Sequence, residues 1–289
     1  MLRGLYTAAS GLITQQRRHD TVTNNISNIN TPGYKQMNTV ARSFPEMLLS
    51  MTGVEGTDKS APIGKWASSV FAEESLSIHL QGDLTQTNRS SDFALISNID
   101  VEGVVFDASG KSLGENGDIV FQPQAFFTVQ TQNGDIRYTR GGSFTLTEDG
   151  FLMTSDGSNV LGTDGQPIQL PAGISLDRLT LTDNQRFLDA DGQDAGVQLL
   201  ISRIDNPNEL IREGSGNFRL MGNEGQAVAI NPEDRIEVRQ GFVERSNVDV
   251  AQAAVDLMSA LRAYEANQKV IQFYDQSLQK AANEVGRIG

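Results

Sequence analysis

Histidine occurs only at positions 19 and 79, and cysteine is absent, so thiolate nucleophiles, disulfides and cysteine metal ligands are excluded at once. A Ser-His-Asp triad or a histidine metal site would need those two positions to meet. His19 falls in a helical pattern and His79 in a β-type stretch, so both are read as surface or interface side chains. Asp189-Ala190-Asp191-Gly192-Gln193-Asp194 resembles a calcium loop, but Asp194 and Leu200 stand where an EF-hand needs glycine and a bidentate glutamate. Gly110-Lys111-Ser112 ends like a phosphate-binding loop, yet Val105 replaces the glycine required upstream. Asp234 and Glu237 could in principle flank a glycosidic bond, though spacing alone does not make them a catalytic pair. The expectation is a non-enzyme with no catalytic residues, no cofactor and no metal.

The elements that carry these residues follow from glycine and charge. Of 28 glycines, 24 lie between Gly33 and Gly241, and residues 242–285 hold none. Glycine is costly within helices and useful in turns, so the order is helix, turn-rich β structure, helix. The net charge of −13 is uneven: residues 1–40 carry +3, residues 247–289 carry −1, and residues 41–246 carry −15. An acidic body repels phosphate backbones, which argues against nucleic acid as a partner. Apolar runs reach about four residues, far short of the ~20 needed for a bilayer, so no membrane insertion is expected. The N-terminus also lacks the continuous apolar stretch of a secretory signal peptide.

Leu2, Leu5, Ala9, Leu12, Gln16, His19, Val22, Ile26 and Ile29 follow a coiled-coil spacing, which predicts a helix from about Leu2 to Asn28 ended by Thr31-Pro32-Gly33. Val250, Ala254, Leu257, Leu261, Tyr264, Gln268, Ile271, Asp275, Leu278, Ala282 and Val285 form a second seam, with Ser246 or Asn247 as its N-cap and Asp249 near the positive helix end. Two seams at opposite ends pair most simply with each other, antiparallel. Between them, Phe127–Val129, Ser143–Thr147 and Leu179–Thr182 alternate with period two, and Val197–Ile204 reads as a longer strand. Asn133-Gly134, Asp149-Gly150, Asp156-Gly157 and Asp164-Gly165 are tight-turn dipeptides, and residues 50–68 read as a long loop. The fold class is mainly β with long terminal α-helices: a β-rich body of hairpins and a discontinuous coiled-coil domain from both ends. The expected divisions are 1–45 (first helix and cap), 46–96 (linker), 97–229 (acidic β domain), 230–246 (return segment) and 247–289 (last helix).

The run Asn24-Asn25-Ile26-Ser27-Asn28-Ile29-Asn30-Thr31-Pro32-Gly33-Tyr34-Lys35 resembles the signature of flagellar rod and hook proteins, the hook–basal body family. Gln240–Asp249, with Ser246, Asn247 and Val248, resembles the family's approach to its last helix, and Arg262-Ala263-Tyr264-Glu265-Ala266-Asn267-Gln268-Lys269-Val270-Ile271 resembles its continuation. Leu80–Thr87, Asp92–Ile96, Phe126–Val129 and Tyr138–Gly150 resemble its β blocks, with residues 97–124 as an insertion on the surface of the β domain.

The resemblance implies a structural subunit exported by the flagellar type III apparatus and polymerised through its terminal helices into the axial tube that transmits torque. It places the protein in the basal body, in the cell envelope. Its implied partners are copies of itself, other rod and hook axial proteins, and the export apparatus. The distal rod proteins fit this length better than the hook subunit, which is the nearest alternative; a peptidoglycan-interacting β protein and a cytosolic coiled-coil adaptor fit less well. The expected assembly residues are Asn24, Asn25, Asn28, Asn30, Gly33, Tyr34, Lys35, Ser246, Asn247, Val248, Leu257, Leu261, Arg262, Tyr264, Glu265, Asn267, Lys269 and Ile271. Leu257, Leu261, Tyr264 and Ile271 are expected to bury most area between subunits, and the Asn24–Lys35 amides to hydrogen-bond across them. Helices this dependent on packing should order fully only during assembly.

Overall fold

The computed structural model describes residues 2–51, 61–67, 69–101, 103–107, 110–114, 118–171, 175–182, 184–221, 228–230 and 234–285. The chain forms two compact units: a terminal unit of Met1–Ser27, Met37–Leu76 and Asp249–Gly289, and a body unit of Asn28–Gln36 and Ser77–Val248.

Helix α1 (Leu2–Ser27) opens the terminal unit, and the chain turns at Thr31-Pro32-Gly33 as its sequence dictates. Strands β1 (Met37–Ser43), β2 (Met47–Met51), β3 (Ala61–Trp66) and β4 (Val70–Ser77) follow, with β1 paired to β4 and β2 to β3. The β2–β3 hairpin, in register at Met47 and Trp66, occupies part of the expected 50–68 loop. Proline and glycine at 62 and 64 mark an irregularity in this two-stranded ladder; they do not exclude it. Residues 52–60 and 68 of that loop lie outside the described residues.

Helix α2 (Val250–Lys280) closes the unit. Its N-cap is Asp249, not Ser246 or Asn247: the carboxylate accepts from the amides of Ala251 at 2.8 Å and Gln252 at 3.2 Å. A carboxylate there satisfies two orphan donors and the helix dipole together. The two helices run antiparallel, with Arg18 bonded to Asp256 at 3.0 Å, Gly11 against Asn267 and Gly4 against Tyr274.

The seam of α2 differs from the expected one by half. Leu257, Tyr264, Ile271 and Leu278 do turn inward, but their partners are Ala253, Ala260, Asn267 and Tyr274. Ala254, Leu261, Gln268 and Asp275 are exposed. The physical reason lies on α1. Gly4 and Gly11 leave room there for Tyr274 and Asn267 to turn inward, and the small Ala260 packs with no exposed surface at all. Hydrophobic periodicity favoured the larger Leu261, which is 41% exposed.

The body unit is built on strand β9. In chain order its strands are β5 (Leu84–Gln86), β6 (Phe93–Asn98), β7 (Lys111–Leu113), β8 (Ile119–Phe121), β9 (Gln124–Gln130), β10 (Ile136–Thr139), β11 (Phe144–Leu146), β12 (Leu152–Thr154), β13 (Asn159–Val160), β14 (Thr180–Leu181), β15 (Arg186–Leu188), β16 (Asp194–Gln198), β17 (Ile201–Ile204), β18 (Leu210–Gly214), β19 (Asn217–Leu220), β20 (Val228–Ala229), β21 (Arg235–Gln240) and β22 (Phe242–Glu244). Strand β9 pairs with β10, β13 and β17 at the centre of a nine-stranded sheet. Its alternation puts Ala125, Phe127 and Val129 in one buried cluster and Phe126 in another with Tyr138, Ile204 and Phe218. A strand buried on both faces explains the apolar run Ala125-Phe126-Phe127.

The expected Val197–Ile204 strand is two strands: β16 turns to β15, while β17 joins β9. Leu199 and Leu200 form the break, their amides bonded to the carbonyls of Gln185 and Leu161. Strands β21 and β22 pair with β6 and β5. Within residues 97–124, β7 and β8 make a small surface hairpin whose Leu113 is 75% exposed.

Candidate functional site

Lys35, at the end of the N-terminal signature, is carried into the body unit by a turn that depends on Gly33. Gly33 has φ +69°, and a side-chain carbon there would lie 2.5 Å from the Arg140 carbonyl carbon. Any other residue would meet both a left-handed backbone and that peptide. The Gly33 amide donates to the Glu244 carbonyl at 2.8 Å.

Glu244, on β22, lies at the centre of the site. Its carboxylate accepts from Lys35 Nζ at 2.6 Å and from the Gly82 amide at 2.8 Å, with Arg140 Nε 3.3 Å away. The Lys35, Arg140 and Glu244 side chains are at most 1% exposed. Lys35 also donates to the Leu80 carbonyl at 2.7 Å, and Arg140 to the Ala125 carbonyl at 2.9 Å and to Gln124 Oε1 at 3.3 Å.

Burial pushes the Glu244 carboxyl up, but the Arg140 and Lys35 charges and the bonds from Lys35 and Gly82 outweigh it and hold it below its ordinary value. Burial, helped by Arg140 and opposed by Glu244, lowers Lys35 to about 8. Two cations therefore share one carboxylate out of reach of water.

Beside this cluster, the Arg212 guanidinium stacks 4.0 Å from the centre of the Tyr34 ring. The half-buried His79 packs its ring against Phe126 and Phe218, with both ring nitrogens shielded from solvent, an interior contact where the sequence points to a surface or interface side chain. Burial, then the charges of Lys35, Arg140 and Arg212, push its pKa down to about 3, so the ring stays neutral at physiological pH. An uncharged imidazole can fill this aromatic pocket where a cation could not.

Asn247 completes the lacing. Its Oδ1 accepts from the Gln36 amide at 2.6 Å, its Nδ2 donates to the Ile78 carbonyl at 2.8 Å, and its own amide reaches the Tyr34 carbonyl at 3.4 Å. Val248 is buried, and Ser246 Oγ accepts from the Val248 amide at 3.4 Å.

The structure thus brings Gly33, Tyr34, Lys35, Asn247 and Val248 together in the body unit. The other expected residues lie elsewhere. Asn28 accepts from the Thr31 hydroxyl at 3.2 Å, and Asn24 and Asn30 are exposed. On α2, Leu257, Tyr264, Asn267 and Ile271 face inward, whereas Leu261, Arg262, Glu265 and Lys269 are exposed.

Asn25 makes its side-chain bonds within its own chain. It is buried in the terminal unit, donating to the Met37 carbonyl at 2.8 Å and accepting from the Met37 amide at 2.9 Å. Asn25→Ala should cost that unit about 1–3 kcal/mol through two orphaned backbone groups, read as faster hydrogen exchange at Met37. Unchanged exchange there would show the bridge to be dispensable.

Sequence reasoning missed Glu244, Arg140, His79 and Arg212. Glu244 and Arg140 sit inside family-like stretches, the one available signal, but a charged residue on a strand is ordinarily read as solvated.

Two chain ends fold into one unit, and the body uses buried charge to fasten its own segments. No helix among the described residues is long and apolar enough to cross a membrane. The chain matches three family descriptions: flagella basal body rod protein over residues 5–35, flagellar hook protein FlgE/F/G D1 domain over 120–185, and flagellar basal body rod FlgEFG protein C-terminal over 239–284. It is 37% identical to the flagellar hook-basal body complex protein FlhO of Bacillus subtilis, over 100% of both chains. It is 30% identical to the flagellar basal-body rod protein FlgG of the same organism (98% of this chain, 99% of that one), and 30% identical to FlgG of Borreliella burgdorferi (98% of each). The chain belongs to the flagellar basal-body rod and hook family and is a structural subunit of the basal body.

Proposed function

We propose that the subunit is exported by the flagellar type III apparatus and polymerises through its terminal unit into the rod that transmits torque, with copies of itself and other axial proteins as neighbours and without enzymatic turnover. The observation that carries this reading is the outer face of α2. Val255, Met258, Leu261, Val270 and Phe273 are 40–67% exposed along a helix whose opposite face already packs on α1. Apolar surface left uncovered at this density favours association. A heterologous contact made by such a face builds an open helical filament.

The inner residues Leu257, Tyr264 and Ile271 hold the helix pair, so the assembly surface lies on the residues that alternate with them. Leu261→Asp is expected to leave the monomer folded, because the side chain lies off the inner seam and reaches solvent, and to abolish rod formation. The check is complementation of a strain lacking the gene, with electron microscopy of its basal bodies. Normal rods built from this variant would overturn the proposal.

A further inference from the structure

Residues 28–36, 77–83 and 244–248 of the body unit adjoin the four places where the chain passes from one unit to the other. They are bonded to each other: the Ile78 amide to the Gln36 carbonyl at 2.7 Å, the Arg245 amide to the Asp83 carbonyl at 2.8 Å, and Gly33 to Glu244 as described above. Glu244 joins all three segments, because its carboxylate takes Lys35 from the first and the Gly82 amide from the second.

The partners lie far apart in the chain: Lys35 and Glu244 are 209 positions apart. Lys35 has the Leu80 carbonyl as a neutral acceptor but no other carboxylate among its described contacts. An ammonium taken out of water without a counter-charge is strongly disfavoured. Glu244 does not share this dependence, because Arg140 from the interior of the body lies against the same carboxylate.

We propose that Glu244 is an interlock: the N-terminal signature segment 28–36 docks on the body only after segment 244–248 is in place, so the two end motifs of the chain fold in a fixed order, the first depending on the last. Arg140 meets Glu244 first and Lys35 joins second. The first segment of the body to be synthesised is thereby the last to dock. This inference concerns the monomer and stands apart from polymerisation.

Hydrogen exchange by mass spectrometry on the full-length chain tests it. Glu244→Gln should raise exchange across 28–36 by on the order of 100-fold, while Phe127–Val129 stay protected. Lys35→Met in the same chain should then restore most of that protection, because segment 28–36 no longer carries a stranded cation, while Arg140 keeps the Ala125 carbonyl and Gln124 as acceptors. A Glu244→Gln chain with 28–36 still protected would overturn the interlock. So would a double variant as open as the single one, since the loss would then come from packing and not charge. If Glu244→Gln does not fold, Glu244→Asp keeps the charge and shortens its reach. It should loosen 28–36 and 77–83 ahead of the core, and an unchanged pattern there would also overturn the proposal.

Discussion

Replacing Glu244 by alanine is expected to lower the stability of the body unit by about 3–5 kcal/mol, because Lys35 and Arg140 would keep their charges in a site with no exposed surface. Calorimetry checks this, and the pH profile shows whether the carboxylate is responsible. The folded carboxyl is held below its ordinary 4.5, so the unfolded chain takes up the proton first as pH falls. The stabilisation is therefore complete above about 4.5 and is lost as pH falls through the lower folded value. Glu244→Ala should flatten that acid limb. Lys35 acts in the other direction: its folded value of about 8 lies below the ordinary 10.5, so the unfolded chain binds this proton more tightly, and stability should rise as pH climbs between the two. Lys35→Met should lose that rise and keep the acid limb. An alanine variant with the wild-type melting temperature and acid profile would remove the clasp from any account of stability.

Phe127→Ala should be at least as damaging to the body, at about 3–5 kcal/mol. Phe127 lies on the central strand β9, opposite Thr139 of β10 and Ile201 of β17, with no exposed surface. Its ring meets Phe144 edge-on with centroids 5.3 Å apart, and Phe144 in turn packs on Phe93 at 5.6 Å. Removing it opens a cavity at the crossing of three strands, where neighbours held by ladder hydrogen bonds cannot collapse inward. Denaturant unfolding should show a lower midpoint with an unchanged slope. A loss below about 1 kcal/mol would mean that the sheet repacks far more freely than its geometry implies.

How far the sequence disclosed this varies with the range of the forces involved. The limits of α1 were legible because proline, glycine and apolar spacing act within a few residues, and the glycine-rich middle announces β structure for the same reason; the start of α2 was not, because three candidate caps, Ser246, Asn247 and Asp249, stand within four residues. The phase of α2 was half legible. Leu257 and Tyr264 are large enough to mark the inner face, but alanine is neutral in any hydrophobic count, which hides Ala253 and Ala260, and Asn267 and Tyr274 turn inward onto glycines at positions 11 and 4, at the far end of the chain. The division of Val197–Ile204 into two strands depends on Leu199 and Leu200 bonding to separate parts of the chain, which no local pattern records. The clasp was the least visible. Lys35 and Tyr34 were selected by resemblance, while Glu244 and Arg140 become partners only when β22 and the β10–β11 connection fold against the same turn. His79 gives no local sign of its place, because a lone histidine between Ile78 and Leu80 does not reveal that Phe126 and Phe218 will pack against it.

Trp66 ends strand β3, opposite Met47, and is the chain's single tryptophan. Because β3 lies in the terminal unit, indole emission reports on that unit alone, and the body, whose rings are tyrosine and phenylalanine, is dark in this channel. The molecule therefore carries a built-in optical label in its terminal unit. When emission excited at the red edge of the absorption band is followed against a calorimetric trace, the two units can be melted separately in one unlabelled sample, and a shift in the indole maximum on adding a second axial protein would register contact at the terminal unit without any engineered probe.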